Sequence, residues 1–150
     1  LTCACAAELL KCAPEYDYMI APEAKSIPLI YEMARQSGQN EYFLVRKVAK
    51  NYMKGVFQVE VQSITTNKKQ MLYMDGADAQ KMKGKRILII DDVISTGESA
   101  AGVEFLVKEA GGIVVGKMAI LAEGKAAERD DIIFLNQLPV FDANGDPIES

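Results

Sequence analysis

ILIIDDVISTGES, residues 87–99, runs from four consecutive aliphatic residues into two carboxylates, then through a Ser/Thr/Gly turn toward a helical stripe. Ile87 to Ile90 shows no polar alternation, so it reads as a strand covered on both faces, the central strand of a parallel sheet. Val103, Leu106, Val107 and Ala110 then recur at helical spacing, and Gly111 and Gly112 end the stripe. A buried strand leading directly into an amphipathic helix is half of a βαβ unit, whose crossover is right-handed.

Outward from this stretch the same alternation continues. Upstream, Tyr18 to Ala21 is a short apolar run closed by Pro22. Ser26 offers an N-cap, Pro28 sits early in the helix that follows, and Ile27, Ile30, Tyr31 and Ala34 form its stripe up to Gly38. Tyr42 to Arg46 is a second strand, and Lys47 to Gly55 is polar and basic, a loop. Val56 to Val61 and Gln70 to Met74 alternate on either side of Thr65-Thr66-Asn67-Lys68-Lys69, the pattern of an antiparallel hairpin. Downstream, Ile113 to Leu121 and Ile132 to Leu135 supply further strands. The expected fold is α/β: one domain over residues 1–150, a mainly parallel twisted sheet with helices on both faces, and a flexible antiparallel hairpin. Thr2 to Cys12 already reads as a helix, and the first residue is Leu1 rather than methionine, so a missing N-terminal segment is expected.

Composition narrows the function. With 150 residues, 49% apolar and 25% charged, a full core is available. Seventeen basic against 21 acidic residues give a net charge of −4, which leaves no electrostatic footprint for nucleic acid. The absence of histidine removes Ser-His-Asp and Cys-His nucleophiles, histidine bases and histidine metal sites together. No apolar run approaches the roughly 20 residues of a membrane span, and no signal sequence opens the chain. Cys3, Cys5 and Cys12 crowd into the first helix, which fits reduced, small apolar residues in a cytoplasmic protein better than a disulfide framework or a metal site.

The chemistry concentrates at the end of the central strand. In open α/β sheets ligands bind beyond the carboxyl ends of strands. Ser95, Thr96, Gly97, Glu98 and Ser99 offer backbone N–H groups, hydroxyls and a helix N-terminus, a combination suited to a phosphate. Asp91 and Asp92 repel phosphate but accept from sugar hydroxyls or from a hydrated magnesium ion. Phosphate on one side and hydroxyl acceptors on the other describe a ribose 5-phosphate site. Taken singly, Asp-Asp could be a solvated turn and Thr-Gly a helix cap; their order after a buried strand makes the pattern specific. It is not a Walker loop, which needs Gly-Lys-Ser/Thr.

ILIIDDVISTGES resembles the phosphoribosyl pyrophosphate signature of type I phosphoribosyltransferases. Pro22-Glu23-Ala24-Lys25-Ser26 is similar to the pyrophosphate loop of the adenine branch of that family, and Val45-Arg46-Lys47 to its Val-Arg-Lys; xanthine phosphoribosyltransferases also carry Glu-Ala in the first loop. The resemblance implies that Asp91 and Asp92 hold the ribose hydroxyls and that Ser95 to Ser99 bind the 5-phosphate. It implies that Glu23, Ala24, Lys25, Ser26, Arg46, Lys47 and Lys50 serve the pyrophosphate side, with Asp91, Asp92 and Lys47 closest to catalysis. Magnesium would arrive with the sugar pyrophosphate, with no direct protein ligand, and touch Asp91 or Asp92 through water. The substrates implied are phosphoribosyl pyrophosphate and a purine base, and the assembly is a homodimer. In the 6-oxopurine enzymes an aspartate stands where Ser95 stands here, which favours adenine or xanthine. Lys25, Ser26 and Ile27 depart from the adenine pattern of arginine, glycine and phenylalanine, and no N-terminal hood segment is evident. A regulatory module that senses phosphoribosyl pyrophosphate, of the purine repressor type, is the alternative from another class.

Overall fold

A computed structural model describes residues 1–47, 55–62, 69–95, 97–138, 140–141 and 147–148. Five strands form one parallel sheet: β1 (Tyr18–Pro22), β2 (Phe43–Val45), β5 (Arg86–Ile94), β6 (Ile113–Glu123) and β7 (Ile133–Leu138), in the order β2-β1-β5-β6-β7. Ile87, Leu88, Ile89 and Ile90 are fully buried, as the uninterrupted aliphatic run requires of a central strand. The run feeds two cores alternately. Ile87 and Ile89 pack with Val103, Leu106 and Val107 of α4 (Glu98–Glu109). Leu88 and Ile90 pack on the other face with Leu9 of α1 (Thr2–Cys12) and with Leu29, Ile30 and Met33 of α2 (Ile27–Ser37). Helices thus cover both faces, with the period of two that strand geometry dictates. Gly38, at φ +76°, ends α2 in the left-handed conformation.

The antiparallel pair is β3 (Phe57–Gln62) and β4 (Lys69–Met74), in register from Phe57 opposite Met74 to Gln62 opposite Lys69. Its inner half belongs to the core: Leu72 and Met74 are buried in the α4-side cluster. Arg46 and Tyr73 exchange two backbone hydrogen bonds of 2.8 Å, which couple the pair to the end of β2.

Several boundaries differ from expectation. The central strand does not stop at the two acids; it continues to Ile94, because β6 keeps pairing with it through Ile94 opposite Ala122. A short helix α3 (Gly76–Met82) intervenes before the central strand, started by Asp75, whose side chain accepts from Ala77 N–H at 3.2 Å. Seven residues are too few to display a helical period. Ser26 does not cap α2 through its side chain; its hydroxyl donates back to the Pro22 carbonyl instead. Of the three cysteines only Cys5 is buried, while Cys3 and Cys12 are exposed, and all three are free thiols. Among the described residues no helix is long and apolar enough to cross a membrane. A small pair, β8 (Val140–Phe141) with β9 (Pro147–Ile148), follows the sheet.

Candidate functional site

The strand order reverses at β1: the chain goes from β1 to β2 on one side, and only later to β5 on the other. The crevice at the carboxyl ends of β1 and β5 is therefore the switch point of the sheet. It opens because β1 pairs with β5 only as far as Ile20 opposite Ile89, whereas β6 follows β5 to its end. Asp91 and Asp92 stand just past the last β1 partner.

Three segments meet there. Residues 22–26, Lys47, the two aspartates, Val93 and Ser99 line a cleft of about 350 Å³. A second hollow of about 110 Å³ adjoins it, sharing Asp91, Val93 and Ser99 and bounded by Ile94, Ser95, Gly97, Glu98 and Ala100. Gly97 is the N-cap of α4 at φ +82°, a left-handed position that glycine takes without strain. Thr96 and Lys50 lie outside the described residues.

The loop after β1 is held by Glu23. One of its carboxylate oxygens accepts from Lys47 N–H at 2.7 Å and the other from Arg46 Nη1 at 3.2 Å, so the end of β1 is tied to the end of β2. The Glu23–Ala24 peptide is cis. Ala24 and Lys25 are exposed and Ser26 is buried. Lys25 and Lys47 thus present positive charge at the cleft, while the Arg46 guanidinium sits on Glu23. This suggests that Glu23 positions the loop. Glu23→Gln keeps the acceptor geometry in part but removes the charge that holds Arg46, and a charge-assisted hydrogen bond of this kind is worth about 1.5–3 kcal/mol. The expected result is a lower Tm than the parent, measured by thermal denaturation, because the tie between the ends of β1 and β2 is weakened.

Asp91 is only 8% exposed. Burial first, and the adjoining Asp92 second, push its carboxyl up to about 8, against the opposing pull of Asp92 N–H, which donates to it at 2.8 Å, and of Lys47. At neutral pH Asp91 therefore keeps its proton. A carboxylic acid beside a second carboxyl group can both donate and accept, which suits a vicinal diol. No cluster of three or more His, Cys, Asp or Glu side chains that could hold a metal occurs among the described residues.

Two contacts at the turn had no counterpart in the sequence reading. Ser95 Oγ donates to Glu123 Oε1 at 3.1 Å, so this serine is engaged with the end of β6. Arg129, just after the 3₁₀ turn Gly124–Glu128, lies against Gly97. Glu123 is the last residue of β6 and Arg129 follows the 3₁₀ turn, and no motif marks either of them.

Residues 7–146 match the phosphoribosyl transferase domain family. The adenine phosphoribosyltransferase of Thermotoga petrophila is 36% identical over 109 residues, covering 73% of this chain and 60% of that protein. The hypoxanthine/guanine phosphoribosyltransferase of Methanotorris igneus is 31% identical over 110 residues, 73% of this chain and 55% of its own. The chain therefore spans about 60% of the length of the adenine relative it matches. Among solved structures, the adenine phosphoribosyltransferase of Thermoanaerobacter pseudethanolicus superposes with a TM-score of 0.78 at 23% identity, over 91% of this chain and 80% of that one, a likeness of fold. With nearly its whole length matched and the crevice of its sheet built from the motif segments, the chain belongs to the phosphoribosyltransferase family.

Proposed function

We propose that this chain transfers a phosphoribosyl group from phosphoribosyl pyrophosphate to a purine, with adenine as the base, giving AMP and pyrophosphate in purine salvage. The observation that carries the reading is the convergence on one switch-point crevice of an acid pair, a hollow at the N-terminus of α4 and a lysine-bearing loop. In transfer, a ring nitrogen of the base forms a bond to C1 of the ribose. The C1–oxygen bond breaks, pyrophosphate leaves with the electron pair, and the nitrogen gives up its proton.

In this reading Asp91 and Asp92 grip the two ribose hydroxyls, and Asp91, protonated in the free protein, releases its proton to solvent as positive charge develops on the sugar beside it. Lys25 and Lys47 meet the charge of the departing pyrophosphate, with Arg46 and Glu23 holding their loop. The turn 95–99 takes the 5-phosphate. Such a site works by positioning and fixed electrostatics. Magnesium belongs to the donor substrate, neutralising its pyrophosphate, with Asp91 or Asp92 reaching it through water. The choice of adenine is supported by Ser95, which stands where the 6-oxopurine enzymes place an aspartate and which is turned to Glu123. The setting is cytoplasmic, and the assembly is a homodimer formed on the side of the 22–26 loop.

The test is nucleotide formation from the donor and magnesium with adenine, hypoxanthine, guanine and xanthine in parallel. Adenine is expected to be turned over fastest. Activity confined to xanthine or guanine would refute the choice of base alone. Tight donor binding with no nucleotide from any purine would make the protein a sensor of the donor.

A further inference from the structure

The hollow at the start of α4 poses a charge problem. Among the described residues its walls carry two carboxyl groups, Asp91 and Glu98, the hydroxyls of Ser95 and Ser99, and no lysine or arginine. A phosphate dianion placed there would face Glu98 and the protonated, uncharged Asp91, with only backbone N–H groups, hydroxyls and the helix dipole in its favour. That dipole amounts to about half a unit charge.

A cation stands immediately behind the turn. Arg129 packs so closely on Gly97 that a Cβ built there would collide with its Nη1 and lie 3.3 Å from Cζ. The guanidinium is held on its other side: Nε donates to Asp131 Oδ1 at 2.9 Å and Nη2 to Asp131 Oδ2 at 2.6 Å. Nη1 is the terminal nitrogen that Asp131 does not take. Asp131 is itself anchored. Lys117, buried on β6, lies 3.4 Å from Asp131 and 2.7 Å from Glu104 of α4, so an unbroken chain of ion pairs fixes Arg129 relative to the helix whose first residues form the turn. Arg129 holds the Asp131 carboxyl down to about 2, so the clamp stays ionised at any working pH.

We infer that Arg129 is a binding residue for the sugar 5-phosphate: clamped by Asp131, it presents Nη1 through the side-chain-free face of Gly97 and supplies the positive charge that the hollow's own walls lack. The inference rests on the reading of the 95–99 turn as the phosphate site. It also gives Gly97 a second task, since any side chain there would separate the guanidinium from the turn. A preorganised fork loses little freedom on binding.

The experiment is titration calorimetry of the full chain with ribose 5-phosphate, and separately with magnesium pyrophosphate, at two salt concentrations. Arg129→Met is expected to weaken ribose 5-phosphate about tenfold, to flatten its salt dependence, and to leave magnesium pyrophosphate within twofold. Arg129→Lys restores part of the affinity, as a point charge without the fork, and Asp131→Asn falls between parent and Arg129→Met. If the parent binds ribose 5-phosphate and Arg129→Met binds it equally well, the inference is overturned while the site reading stands. If both ligands weaken together with a lowered Tm, Arg129 is a structural prop, and the inference is again overturned. A parent that takes magnesium pyrophosphate but not ribose 5-phosphate removes the phosphate from the turn, and both readings fall.

Discussion

Asparagine at position 91 is expected to give a more stable protein and a slower enzyme. The native state keeps a proton on Asp91 up to about pH 8, whereas the unfolded chain releases it near the ordinary value of 3.8. Between those values the native state binds more protons than the unfolded state, so stability falls as pH rises from about 4 to about 8 and then levels. The window is open to view because the chain has no histidine. Asp78, raised by burial and then by Asp75, acts in the same direction, and Asp78→Asn serves as the control. Asp91→Asn keeps the shape and the acceptor for Asp92 N–H but cannot ionise. Its Tm advantage over the parent is expected to be small at pH 4, to grow through pH 8 and then to hold. Even one unit of raised pKa is worth about 1.4 kcal/mol, or about 3–6 °C of Tm in a domain of this size. Turnover moves the other way: kcat for transfer to adenine should fall by about tenfold or more, roughly 1.4 kcal/mol of barrier, with donor affinity falling less. Parallel Tm curves for parent and variant across pH 4–8 would show that Asp91 is not the titrating group. Undiminished kcat would take it out of the chemistry.

Valine at position 97 is expected to abolish most of the donor affinity. The residue stands at φ +82°, where a β-branched side chain is strongly disfavoured, so the turn must change conformation and its N–H groups swing away. The new Cβ would also displace Arg129. Together these should weaken ribose 5-phosphate about a hundredfold, near 2.7 kcal/mol. The helix itself should survive, because Gly97 caps α4 with no side-chain bond while Val103, Leu106 and Val107 remain buried. Circular dichroism close to the parent, with calorimetry showing the loss, is the expected pair of results. Gly97→Ala is strained at the same φ, so Arg129→Met, which leaves Gly97 in place, isolates the loss of the guanidinium. Unchanged affinity in the valine variant would dismiss the turn as the phosphate site.

The aliphatic run Ile87 to Ile90 was enough to place the central strand, since complete burial on both faces leaves no room for polar alternation. The motif segments around Glu23, Arg46 and Asp91 were legible because each sits at the end of a strand, where local pattern and chemistry coincide. What escaped the sequence depends on distance in the chain. Glu23 was legible as part of the loop motif, and only the fold shows that its carboxylate also accepts from Arg46 and from Lys47 N–H. The raised carboxyl of Asp91 is a product of burial by neighbours that no window of residues contains. Arg129 meets Gly97 from 32 positions away, out of a segment with no period of its own. The continuation of β5 past its acids was invisible for a related reason: carboxylates at a strand end mimic a turn until a neighbouring strand is seen to pair beyond them.

The early end of β1 against β5 also bears on how the molecule comes to fold. These neighbours in the sheet are far apart in the chain: Asp17 N–H and the Arg86 carbonyl bond at 2.8 Å, and Asp17 Oδ2 accepts from Arg86 N–H across a separation of 69 residues. Closing such a loop costs entropy before any contact repays it, and parallel pairing of distant strands is intrinsically slow. During synthesis, α1, β1, α2 and β2 emerge with their apolar faces ready, yet Leu88 and Ile90, which complete that core, are made only later. The pairing that forms the crevice thus spans a wide separation along the chain, and a chain halted before Arg86 would lack the central strand that completes both cores.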